Sequence, residues 1–153
     1  MAKVEETIEV NVPVKTAYNQ WTQFEEFPRF MSNVQEVKQV DDTHLRWRAK
    51  VAGQEQEWDA EITEQTPDQR VAWVNTTGSR NAGVVNFHYL DDSRTKIQVM
   101  MEVDPPAGVA GDAADSALGL TAKSVKGDLE RFKEFIEERG SETGAWRGEV
   151  SRN

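Results

Sequence analysis

From Asn33 to Val103 the chain repeats with a period of two, and no helix-length segment interrupts it. Parallel strands need crossovers of a dozen or more residues, so this stretch can pair only as an antiparallel sheet. Asp41-Asp42, Gly53-Gln54, Pro67-Asp68, Gly78-Ser79 and Asp91-Asp92-Ser93 supply the turn chemistry. They divide the stretch into six strands, near 34–40, 43–52, 55–66, 69–76, 82–90 and 94–103. Ahead of them, Lys3 to Val12 places Val4, Ile8, Val10 and Val12 on one face and adds a seventh strand.

The hairpin around Gly53-Gln54 carries an internal test of register. A two-residue turn there makes facing residue numbers sum to about 107, so Lys50 meets Glu57, Arg48 meets Asp59 and Arg46 meets Glu61. All three pairs are opposite in charge. On the other face Trp47 meets Ala60, Ala49 meets Trp58 and Leu45 meets Ile62, alternating large with small. A two-residue turn at Pro67-Asp68 places Ile62 opposite Trp73, and a three-residue loop at Asp91-Asp92-Ser93 places Phe87 opposite Ile97 and Val85 opposite Val99. Asn75, Asn81 and Tyr89 are then polar members of a mostly apolar face, either at strand ends in water or on the wall of a cavity.

Two short helices and one long one complete the pattern. Behind Pro13, Ala17, Trp21 and Phe24 recur at helical spacing, and Pro28 separates a second apolar cluster, Phe24 to Met31, from the first. That cluster reads either as packing at the end of a helix or as a lid. After Asp104-Pro105-Pro106, the positions Leu118, Val125, Leu129, Phe132 and Ile136 define an amphipathic helix from about Asp112 to Arg139, with Gly140 as its C-cap. At 1.5 Å per residue it is about 40 Å long, enough to cross the sheet. Its first half is rich in glycine and alanine and fills little volume. Gly119 and Gly127 mark places where room is wanted or a backbone comes close.

Composition removes several functions. The 153 residues carry 27 acidic and 18 basic side chains, a net charge of -9 that repels nucleic-acid backbones and anionic lipid surfaces. Cysteine is absent, which excludes disulfides, thiolate nucleophiles and cysteine-based zinc sites. No stretch approaches the ~20 apolar residues of a membrane span, and the N-terminus lacks a signal-peptide pattern, so the expectation is a cytoplasmic protein without stable membrane insertion. His44 and His88 both face outward by strand parity, and no metal-ligand spacing occurs. Gly-Val-Ala-Gly at 108–111 lacks the spacing of a phosphate cradle. Acid–base chemistry is left to Tyr18, Tyr89, Asn75, Asn81, Arg29 and Glu64. No cofactor is indicated.

Four blocks carry a family resemblance. These are Val12-Pro13 with Tyr18-Asn19-Gln20-Trp21 and Phe24 to Met31, then Trp58 to Ile62 through Pro67 and Val71-Ala72-Trp73, then Asn81 to Phe87, and finally Gly127 to Phe135. In this order the chain resembles the START and birch-pollen-allergen-like (SRPBCC) superfamily, in particular its bacterial polyketide cyclase/dehydrase-like branch, which also includes coenzyme Q-binding lipid proteins. The resemblance implies an α+β helix-grip fold over residues 1–140: a seven-stranded curved antiparallel sheet with two short helices, gripping a long C-terminal helix. Residues 141–153 are a polar tail whose Trp146 either docks on the domain or meets a partner. The resemblance also implies a cavity between sheet and helix for a hydrophobic or amphipathic small molecule such as a lipid, quinone or polyketide. The residues agree, because three indoles on the concave face oppose a half-helix with no filler. A solid core filled by those indoles is the other possibility. The expected cavity residues are Phe27, Phe30 and Met31 from the N-terminal cluster, and Trp47, Trp58, Trp73, Asn75, Val85, Phe87, Tyr89, Val99 and Met101 from the sheet. Leu118, Gly119, Ala122 and Val125 from the long helix complete the set. A cyclase or dehydratase acting in the same cavity is the alternative, and a protein-interaction or stress module a further one. Oligomeric state is left open.

Overall fold

The fold is described from a computed structural model covering residues 2–51, 54–78, 81–103 and 112–150, with side chains described except at Ala2, Val51 and 112–121. Strand β1 (Ala2–Val10) leads through Pro13 into helix α1 (Val14–Trp21) and a 3₁₀ turn (Phe24–Arg29). Strands β2 (Val34–Gln39), β3 (His44–Val51), β4 (Gln54–Thr66), β5 (Arg70–Asn75), β6 (Asn81–Asp91) and β7 (Arg94–Val103) follow. The chain then enters α2 (Asp112–Arg139). All seven strands form one antiparallel sheet in the order β1-β7-β6-β5-β4-β3-β2, as expected from the uninterrupted period of two. Pro28 sits inside the 3₁₀ turn, where its missing amide ends regular helix. Gly140 closes α2 at φ 72°, with its amide donating to the Ile136 carbonyl at 2.9 Å, as a C-cap glycine does.

The β3–β4 register departs from expectation by two residues. The strands pair out to Val51 and Gln54, so facing numbers sum to 105: Arg46 meets Asp59, Arg48 meets Glu57 and Lys50 meets Glu55. Trp47 faces Trp58 rather than Ala60, and their rings stack at 5.9 Å and 7°. A shift of two leaves every side chain on its own face, and the acidic run on β4 offers an opposite charge at either spacing. Neither parity nor charge could therefore separate the two registers. Gly53 itself lies outside the described residues.

Ile62 opposite Trp73, Phe87 opposite Ile97 and Val85 opposite Val99 are found as expected. Their turns are not as expected. Thr66 pairs with Arg70 across three residues, and Asp91 pairs with Arg94 across two. An irregularity between Ile62 and Glu64, and another between Tyr89 and Asp91, each restores the register. Asp68 takes the left-handed conformation at φ 63° that the longer turn requires.

The core lies between the sheet's inner face and the helices. Val71, Val85, Ile97 and Val99 from the strands meet Tyr18 and Trp21 from α1, Phe24, Phe27 and Phe30 behind it, and Leu129, Phe132 and Ile136 from α2. Residues 142–150 lie against α1 and the β4–β5 end of the sheet. Asn19 and Gln20 are buried polar residues because this segment supplies their partners: Glu142 and Arg147 for Asn19 at 2.9 and 2.7 Å, and Thr143 for Gln20 at 3.1 and 2.8 Å. The Trp146 amide donates to Thr22 Oγ1 at 3.1 Å, Arg147 forks onto Asp68, and Val150 exchanges two backbone hydrogen bonds with Gln65.

Candidate functional site: a tryptophan-walled cavity

Two cross-strand rows build the floor of a cavity. In one, Leu45, Ala60 and Asn75 are aligned, and continuing the pairing of Val74 with Ala82 by one step sets Asn81 beside Asn75. In the other, Ile62, Trp73, Gly83 and Met101 are aligned. Gly83 is there for a steric reason. A Cβ at this position would lie 2.6 Å from the Trp73 ring and 2.9 Å from the Met100 carbonyl oxygen. Gly78, at φ +77°, likewise lets the chain turn against Trp58, whose Cβ would be 3.0 Å from an added methyl. The stacked Trp47 and Trp58 form one wall, Trp21, Phe24 and Phe27 another, and Met31, Val125 and Leu129 close the helix side. The cavity, partly open to solvent, has a volume of about 190 Å³, and most of its lining among the described residues is carbon.

Besides Asn75, three polar features interrupt that surface. Trp47 Nε1 and Asn81 Oδ1 are buried and have no hydrogen-bond partner among the described residues. The third is Asp128, which lines the cavity from α2. Its carboxylate accepts from the Ser32 amide at 3.3 Å and from Arg131 Nη2, and Arg131 also donates to the Phe30 carbonyl at 2.9 Å and to Ser32 Oγ at 3.2 Å. Burial pushes the Asp128 carboxyl above its ordinary value, outweighing the Arg131 guanidinium and the Ser32 amide that pull it down. Gly127 has its explanation in the same place, because a Cβ there would lie 3.3 Å from both terminal nitrogens of Arg131. The network ties the segment after the 3₁₀ turn to α2 beside the cavity.

Of the expected cavity residues, Phe27, Met31, Trp47, Trp58, Trp73, Asn75, Val99, Met101 and Val125 line it. Phe30, Val85 and Phe87 do not. Phe30 is turned into the aromatic cluster with Phe132 and Phe135, Phe87 packs on Tyr18 and Trp21, and Val85 is fully buried beneath them. Tyr89, near the end of β6, is 61% exposed, and its hydroxyl donates to Asp92 at 2.5 Å. Ala122 is half-buried and stands off the lining, while Leu118 and Gly119 fall in the part of α2 whose surroundings lie outside what is described.

Among the acid–base candidates only Asn75 and Asn81 reach the cavity. Tyr18 is buried in the core, Arg29 pairs with Glu26, Glu64 lies beside Arg70, and both histidines are exposed. Trp21, Phe24, Leu45, Ile62, Val71, Leu129 and Asp128 line the cavity without having been expected there. Leu45 and Ile62 share the parity of the tryptophans, which was the available signal. Asp128 reads in sequence as the start of a solvated charge run, yet it stands three residues after Val125 and four before Phe132, on the edge of the apolar stripe.

Known proteins with this design were found by sequence and by shape. An uncharacterized 17.2 kDa protein of Streptomyces lincolnensis is 56% identical over 151 residues, spanning 98% of this chain and 99% of its own length. A START superfamily protein from Mycobacterium smegmatis superposes with TM-score 0.78 at 15% identity, covering 90% of this chain and 98% of the other. The Zhui aromatase/cyclase from a Streptomyces species superposes with TM-score 0.74 at 17% identity, covering 95% and 99%. At these identities the two solved structures establish the shared helix-grip fold. Residues 10–130 match the family described as "Polyketide cyclase / dehydrase and lipid transport", and the chain belongs to that family, within the START-like SRPBCC group.

Proposed function

We propose that the chain is a small-molecule binding protein that takes a hydrophobic or amphipathic ligand into the space between the sheet and α2. The observation that carries this reading is the cavity of about 190 Å³ walled by four indoles and two phenyl rings. Mostly apolar concavities with a few placed polar groups are the usual form of a ligand site. Residues 1–140 are the binding unit in this reading. The test is native mass spectrometry of protein purified without denaturation, together with calorimetric titration of small aromatic compounds. A copurified or titratable ligand that raises the melting temperature is expected. Protein that emerges empty and takes up no apolar compound overturns the reading.

A second reading, a cyclase or dehydratase in the same cavity, is favoured by one observation. Asp128 is an inward acid held by a second polar side chain, Arg131, with its proton affinity raised by burial. A carboxyl in such a place can deliver or accept a proton at a bound carbonyl. If this reading holds, Asp128→Asn abolishes turnover of a polyketone substrate while leaving its binding in place. Equal turnover by both proteins removes it.

A further inference from the structure

Among the described residues, Trp47 Nε1 and Asn81 Oδ1 stand apart from the other buried polar groups. Tyr18, Gln65 and Arg48 also hold buried polar atoms without partners, but none of these residues lines the cavity. Trp47 and Asn81 do. An indole N–H can only donate, and an amide oxygen can only accept. Buried groups of this kind are ordinarily paired in a native protein, so each marks the position of a missing complementary atom.

The two groups are also well separated. Trp47 is on β3 and Asn81 on β6, three strand spacings apart, which is about 14 Å along the sheet before its curvature and the reach of the side chains are subtracted. Groups this far apart can address opposite ends of one small molecule. Between them lie Trp58 and Trp73, flat apolar surfaces, with Gly83 keeping the Trp73 ring close to the sheet. The volume, about 190 Å³, exceeds the ~150 Å³ that accepts a benzene ring and suits one substituted ring or a small bicycle. Among the described lining residues the one charged side chain is Asp128, itself an acid, which disfavours an anionic ligand beside it.

Resting on the binding reading above, we infer that the ligand is a neutral aromatic molecule with a hydrogen-bond acceptor such as a carbonyl at one end, held by the Trp47 indole N–H, and a hydroxyl donor at the other, held by the Asn81 amide oxygen. These two side chains determine specificity, and the indoles between them supply affinity.

The test is calorimetric titration of the full chain with four compounds of similar size: 4'-hydroxyacetophenone, 4'-methylacetophenone, 4-ethylphenol and 4-hydroxybenzoate. The hydroxyl-for-methyl and acetyl-for-ethyl exchanges should each weaken binding about fivefold to tenfold, and the carboxylate should bind more weakly still. Asn81→Leu should erase the preference for hydroxyl over methyl and keep that for acetyl. Trp47→Phe should do the reverse. Equal affinity of 4'-hydroxyacetophenone and 4'-methylacetophenone in the native protein overturns the role of Asn81, and preferences that survive both substitutions overturn the pair. Tighter binding of 4-hydroxybenzoate overturns the neutral class. Should none of the four bind, the binding reading itself fails at this ligand size, which is a different result from binding without discrimination. Circular dichroism of both variants separates loss of selectivity from loss of fold.

Discussion

Gly83 shows how one missing side chain sets the cavity's shape. Its substitution by alanine drives a methyl to 2.6 Å from the Trp73 ring and 2.9 Å from the Met100 carbonyl oxygen, so ring and strand must both move. Gly83→Ala is expected to cost about 2 kcal/mol and to lower the melting temperature by roughly 4–8 °C. Tryptophan emission should shift at the same time as the indole leaves its place. A variant with native melting temperature and native emission contradicts the steric account. Asp128 makes a second prediction at this scale. Its folded-state proton affinity is raised, so above the ordinary aspartate value of 3.8 the native state still holds a proton that the unfolded chain has released. Its contribution to stability is complete below that value and declines as pH rises toward the folded value. Asp128→Asn cannot titrate. The melting temperature of the native protein, taken relative to the variant, should therefore fall as pH rises above the ordinary aspartate value of 3.8, and parallel profiles would rule out the burial effect.

At the scale of elements, the stretch 142–150 is bound to α1 through side chains that the helix buries for it. Asn19, Gln20 and Thr22 meet Glu142, Thr143, the Trp146 amide and Arg147, and the Val150 bridge adds backbone pairing at Gln65. Removing residues 141–153 exposes these groups to water, which replaces the hydrogen bonds but not the ordered packing. A fall in melting temperature on the order of 5–10 °C is expected by differential scanning calorimetry, with Arg147→Ala giving a smaller fall. An unchanged transition would mean that the contacts contribute nothing. The polar composition of this stretch left docking and partner binding both open, because its contacts are with the equally polar face of α1 and only the folded chain puts the two together. Strand and helix boundaries were legible for the opposite reason: each rests on local punctuation such as Pro13, Pro28, Gly140 and the aspartate-rich turns. Register was legible only to parity. Trp47 and Trp58 are on the inner face in either pairing, and the two-residue shift that stacks them changes no local rule. Turn lengths at Pro67 and Asp91 misled in compensating ways, since an irregularity inside a strand leaves no residue signature as plain as a turn does.

Taken whole, the molecule carries a cavity that a stability-driven chain would fill. Protein interiors are close-packed, so about 190 Å³ of mostly apolar space beside the core is a departure from what stability alone selects. The aromatic cluster around Phe30, Phe132 and Trp21 packs densely next to it, so the chain has the means to close the space and does not. Val71 is fully buried on the cavity wall beside Trp73, and Val71→Phe places a ring in the opening. If the space is retained for a ligand, this variant keeps or raises the melting temperature and loses the heat of binding for small aromatic compounds. If the space is an accident of packing that the chain relaxes around, the added ring overpacks the wall, stability falls by about 1–3 kcal/mol, and whatever binding exists continues elsewhere. The two outcomes move stability and affinity in opposite directions. One pair of measurements, a melting curve and a titration on the same variant, therefore decides whether the four indoles surround a site or only a void.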